Sequence, residues 1–205
     1  MKEIYSKMNY FQIATSLVDD AVVCYNTALC YYGYGDFVTR MITVGSKKGF
    51  VNFEYDDYEY MFVKYDNYSQ VNYDEKDKIR VTSLEKTIVD CIDKSEYTNV
   101  DELVELINSD ISLDENRIID ALDSYGDKLL YKKVGYLFDY FKKHHIFSDA
   151  FYEKCKSYLT EEKGYLFPNA YSNYKYDEKW GIMVPDHILV FMDCWVVDEY
   201  YLEKE

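Results

Sequence analysis

Apolar residues recur at helical spacing along most of the chain, interrupted by one stretch of strict alternation. Tyr10, Ile13, Ala14 and Leu17 line one face of a helix predicted from Asn9 to Val18, with Asn9 and Gln12 at cap spacing. A short apolar link, Ala21–Cys24, leads to a second helix that Asn26 or Thr27 caps and Gly33 or Gly35 stops. Met41–Val44 is a short strand candidate, followed by a turn at Gly45–Gly49. Then the period changes. Val51, Phe53 and Tyr55 alternate with Asn52 and Glu54, Asp56-Asp57 turns the chain, and Tyr58–Tyr65 returns as the partner strand. The polar stretch Asp66–Lys78 reads as a loop.

Ile79–Asp93 is the best-defined segment. Ile79 and Val81 open it as a strand, and Leu84, Ile88, Cys91 and Ile92 then share one helical face. Thr82 and Glu85 have the spacing of a capping box, and Lys86 and Asp90 are placed i, i+4 for an ion pair on the exposed or partner-facing side.

Four further helices are predicted. Asn99 and Glu102 cap one with the stripe Val100, Leu103, Val104 and Ile107. Ser112 and Glu115 box another, carrying Ile118, Ile119, Leu122 and Tyr125, with Gly126 at its stop. Lys128–His145 carries Leu130, Val134, Leu137, Phe138 and Phe141, and its closing Lys142, Lys143, His144 and His145 suit a helix C-terminus. Gly135 inside it costs about 1 kcal/mol against Ala unless something packs closely there. Ser148 caps the last, with Phe151, Cys155 and Leu159. Beyond Gly164 the pattern weakens, and Ile188–Val197 is apolar and β-rich. The expected fold is α+β: a small mixed β-sheet with flanking helices over residues 1–92, a helical half over 93–186, and a C-terminal extension at 187–205, together one compact unit.

Charge narrows the function. Against 23 Lys and Arg stand 38 Asp and Glu, a net charge of -15, the wrong sign for neutralising phosphates and the right one for steering towards a basic partner. Between Glu54 and Asp77 eight acids face two lysines, either as a solvated hairpin face or as an acidic docking edge. The 25 tyrosines supply amphipathic contact area, or reflect codon usage. No apolar run is long enough to span a bilayer, and the first residues lack a signal-peptide core, so a cytoplasmic protein is expected. The five cysteines are widely spaced with no C-x-x-C pair, which favours buried thiols over zinc or disulfides.

Catalytic motifs do not emerge. Asp57, Glu59 and Lys64 do not fall on one strand face, and adjacent His144 and His145 do not face one another on a helix. Phosphate-loop, dinucleotide, zincin and hydrolase signatures are absent from the sequence. An interaction module is expected rather than an enzyme, with no catalytic residues, metal ligands or cofactor.

The segment VTSLEKTIVDCID (residues 81–93) resembles the signature helix of AbiEi-type antitoxins, the antitoxin half of abortive-infection toxin–antitoxin pairs. The likeness extends to YNTALCYYGYG, to YTNVDELVELI, to the helical run containing Lys133-Val134-Gly135-Tyr136, and to KWGIMVP at Lys179–Pro185. The resemblance implies a regulator whose partner is a nucleotidyltransferase-fold toxin, with Thr82, Glu85, Lys86, Thr87 and Asp90 as the motif positions carried over. Members typically carry an N-terminal winged helix that reads operator DNA. This chain starts at the segment that should follow it, so DNA binding is not expected. Asp56, Asp57 and Glu59, with Tyr58 and Tyr60 as aromatic anchors, complete the expected partner-binding set. The alternatives are a DNA-binding repressor of its own operon and a nuclease-like enzyme.

Overall fold

The computed structural model describes residues 8–35, 40–161, 163–168, 173–186 and 188. The fold is α+β. Its described elements are helices together with a six-stranded and a three-stranded sheet. Two units divide the chain: residues 1–91 with 116–125, and residues 92–115 with 126–205.

In the first unit, α1 (Tyr10–Ser16) starts at a complete capping box between Asn9 and Gln12. β1 (Val22–Val23) follows, then α2 (Tyr25–Tyr31), β2 (Met41–Ser46), β3 (Phe53–Tyr55), β4 (Tyr58–Lys64), β5 (Val71–Asp74) and β6 (Ile79–Thr82). The sheet order is β3-β4-β2-β1-β6-β5. β2 runs parallel to β4, and β1 parallel to β6; the other pairs are antiparallel. Ala14, Val23, Ile42, Val44, Tyr60, Ile79 and Val81 form the core beneath α1. Arg80 closes the C-terminal end of α1, donating to the carbonyls of Thr15 and Ala21 at 2.8 Å each, the place where a helix favours a cation. From β6 the chain enters α3 (Leu84–Asp93), whose Ile88, Cys91 and Ile92 are buried and whose Leu84 is half-buried. α5 (Glu115–Tyr125) belongs to this unit from Asn116 on, and buries Ile118 and Leu122.

The second unit holds α4 (Val100–Ile107), α6 (Lys128–Tyr140), α7 (Asp149–Ser157) and a sheet of β7 (Gly164–Tyr165), β9 (Ile182–Pro185) and β8 (Tyr174–Asp177) in that order. Asn99, Asp127 and Ser148 cap the three helices. Val100, Leu103, Val104 and Ile107 are buried together on α4. Lys133, at the Lys133–Tyr136 step, is buried with its Nζ 3.5 Å from the Ile92 carbonyl.

Several expectations change. The link at Ala21–Cys24 contains a buried strand, and α2 begins at Tyr25, ahead of both expected caps. The expected loop at Asp66–Lys78 contains β5, an edge strand whose Asn72 and Tyr73 are exposed and whose half-buried Asp74 accepts from the Tyr31 hydroxyl at 2.9 Å. α5 starts at Glu115, not after Ser112; Glu115 instead accepts from the Ser148 amide at 2.6 Å and its hydroxyl at 2.8 Å. α6 ends at Tyr140, so His145 is no helix-end charge. It is buried, and its Nε2–H donates to the Ile107 carbonyl at 2.6 Å. Leu159 lies beyond α7 and is exposed. The small sheet was not foreseen, and the Ile188–Val197 stretch lies outside the described residues except for Ile188, which is buried.

Candidate functional site

The expected site residues separate into a buried cluster and an exposed hairpin, both in the first unit. Thr82 is still in β6, paired with Val71, so the helix cap falls one residue later than expected. Ser83 Oγ accepts from the Lys86 amide at 3.2 Å and donates to Gln70 Oε1 at 2.9 Å. Thr82 and Thr87 are buried with their hydroxyls 2.7 Å apart, and Thr87 also donates to the Ser83 carbonyl at 2.7 Å. Glu85 is nearly buried, 3.4 Å from Arg117 Nε.

Lys86 and Asp90 form the ion pair that their spacing suggests, but not at a surface: each side chain is 0% exposed. Burying two charges is tolerable only where every donor and acceptor is satisfied, and two tyrosines do this. The Lys86 ammonium donates to Asp90 Oδ1, to Tyr65 Oη at 3.2 Å and to Tyr125 Oη at 2.9 Å. Tyr65 Oη–H donates to Asp90 Oδ2 and Tyr125 Oη–H to Asp90 Oδ1, both at 2.6 Å. Lys86 also lies 4.3 Å from the Tyr125 ring centroid. Burial raises the Asp90 carboxyl, while Lys86 and the two hydroxyls oppose that shift. Burial, with Asp90 beside it, pushes the Tyr65 phenol far up, and burial likewise drives the Cys24 thiol well up. A hydrogen-bonded network of the Lys86–Asp90 pair and two phenols joins Tyr65, α3 and α5. Its chemistry is positional. Lys86 and Asp90 are therefore not a surface or partner pair, and the same burial takes Thr82 and Thr87 out of reach of a partner.

Sequence reasoning missed Tyr65 and Tyr125. They lie 21 and 39 residues from Lys86, and no spacing rule links them to it.

The hairpin is different. Asp56 and Asp57 have φ of 54° and 68°, the two left-handed residues of a tight turn joining strands with right-handed twist. Asp56 and Asp57 are exposed in the turn and Glu59 is exposed on β4, with β3 at the sheet edge. Glu54 and Glu59 are direct cross-strand partners, like charges placed opposite one another at a cost to the hairpin. Arg40, 3.8 Å from Asp57, is the nearby cation. These residues with Tyr55 and Tyr58 surround an open concavity of about 510 Å³. Tyr60 is not among them. It is fully buried, stacked on Phe53 at 5.0 Å, so it cannot anchor a partner. Tyr55 is the aromatic that reaches solvent there, at 52% exposure. Tyr58 is half-buried against Tyr10, with ring centroids 4.9 Å apart.

Among the described residues no three His, Cys, Asp or Glu side chains gather as a metal would require. No described helix is long and apolar enough to cross a membrane.

No protein-family model matches this chain, and no curated protein matches it. A solved structure of similar fold is that of the RV2827C protein from Mycobacterium tuberculosis, with a TM-score of 0.58, 9% identity, and coverage of 86% of this chain and 65% of that one. The chain spans just under two thirds of that protein's length. At this identity the likeness is one of fold.

Proposed function

We propose that the chain is an antitoxin-type interaction module that neutralises or regulates a nucleotidyltransferase-fold toxin in the cytoplasm, through binding rather than catalysis. The signature resemblance at residues 81–93 supports the class. The observation that carries the interface is the Glu54–Glu59 pairing within an acidic edge hairpin. A protein gains no stability from opposed like charges, whereas a basic partner would be steered by them. Because the motif residues are buried, they act by holding the sheet and α3 that carry this hairpin. Tyr55 and Tyr58 are the aromatic contacts.

Surface plasmon resonance against the product of the adjacent gene tests the reading. Asp56→Asn, Asp57→Asn and Glu59→Gln together should slow association and flatten its salt dependence, with less change in dissociation. Equal association by the triple variant and the wild type at low salt removes the hairpin from the interface. Absence of binding by the wild type removes the antitoxin reading.

A further inference from the structure

The second unit holds a cavity of about 310 Å³ whose chemistry is opposite to that of the hairpin. Lys128, Lys132 and Lys163 all line it, in a chain where acids outnumber bases 38 to 23. The first turn of α6 opens onto it, its partial positive charge offset by the carboxylate that caps it. Asp127, also on the rim, is the α6 cap, and its Oδ1 accepts from the Leu129 amide at 2.8 Å. Lys132 is 1% exposed and donates to the Thr160 carbonyl at 2.9 Å. Gly181 has a φ of +61°, and the place its Cβ would occupy is 3.7 Å from both Lys132 Nζ and Tyr176 Oη. An ammonium and a phenol hydroxyl thus flank one small space, with the Thr160 carbonyl oxygen 3.9 Å from the same point. Lys163 links this space to an aromatic surface, with its Nζ 4.8 Å from the Tyr176 ring centroid. Tyr176, Met183 and Tyr165 lie in register across the three strands, and the two tyrosines are 45% and 44% exposed.

We propose that this cavity binds the phosphate chain of a small nucleotide, with the base lying on the Tyr176–Met183–Tyr165 row. The volume is of ligand-site size. Two different recognition elements meet at Lys163: ammonium groups for oxyanions, and phenol faces for a flat heterocycle. The inference does not depend on the antitoxin reading, since it uses other residues in the other unit.

Isothermal titration of the full chain at low salt with ATP, GTP, tripolyphosphate and a short single-stranded oligonucleotide tests it. The triphosphates should bind. Lys128→Ala and Lys163→Ala should each weaken them by about tenfold or more, the worth of one charge-assisted hydrogen bond. Lys64→Ala, an exposed lysine of the other unit, serves as the control and should change nothing. Tyr176→Leu should reduce ATP and GTP to the affinity of tripolyphosphate. Triphosphates that do not bind, or that bind the Lys128→Ala/Lys163→Ala double variant as tightly as wild type, overturn the site. Nucleotides no tighter than tripolyphosphate in the wild type overturn the base platform. An oligonucleotide that binds where nucleotides do not overturns the cavity as the determinant.

Discussion

Trp180 packs directly on the backbone of Gly135: a Cβ at Gly135 would stand 2.5 Å from Trp180 Cη2 and 2.9 Å from Cys155 Cβ. A mid-helix glycine normally costs about 1 kcal/mol against alanine. Here the close approach reverses the sign. Gly135→Ala should lose about 1–3 kcal/mol through overpacking, read as a lower urea midpoint at unchanged slope. A midpoint that rises would mean that the indole moves aside freely.

The Lys86–Asp90 network predicts strong coupling. Lys86→Met strands a buried carboxylate and should cost about 3–5 kcal/mol, while Lys86→Met with Asp90→Leu should recover much of it. Denaturant melts of both singles and the double complete the cycle. If Lys86→Met costs under about 0.5 kcal/mol, as an exposed site would, the charge is not buried.

Cap position is testable by amide exchange. The Lys86 amide donates to Ser83 Oγ, so Ser83→Ala should speed exchange there and cost about 0.5–2 kcal/mol. Thr82→Val removes a hydroxyl from the strand side and should leave that amide protected. The opposite outcome would return the cap to Thr82.

His145 gives a pH signature. Burial lowers its pKa from 6.5, while the bond to the Ile107 carbonyl opposes the shift. The unfolded chain therefore takes up a proton before the folded one does. Stability is complete above pH 6.5 and is lost as the pH falls through the folded value, below which both states are protonated. His145→Phe should flatten the urea midpoint over that window. A wild-type midpoint constant from neutrality down to pH 5.5 (about one unit below the usual histidine value) would contradict the burial.

How much of this was legible depended on distance along the chain. The faces of α3, α4 and α5 and the turn at Asp56-Asp57 are set by residues three or four apart, or adjacent, and could be read directly. β1 could not: two valines carry no period, and only their pairing with Val44, Gly45 and Val81 makes them a strand. β5 was hidden by its polar composition. For the site, the spacing of Lys86 and Asp90 was readable but their burial was not, because the hydroxyls that make burial tolerable come from Tyr65 and Tyr125. Tyr60 misled for a related reason. Alternation places it on one face of β4, but which face is covered depends on α1.

The placement of α5 has a consequence for synthesis. The first unit is interrupted by residues 92–115 and completed only by 116–125. On the ribosome, Lys86 and Asp90 emerge well before Tyr125, the hydroxyl that bonds to both. A nascent chain ending at Cys91 has the strands and most of α3 but an unfinished charge network. The unit cannot settle vectorially, strand by strand, and its last native contacts must wait for a helix encoded after the start of its neighbour.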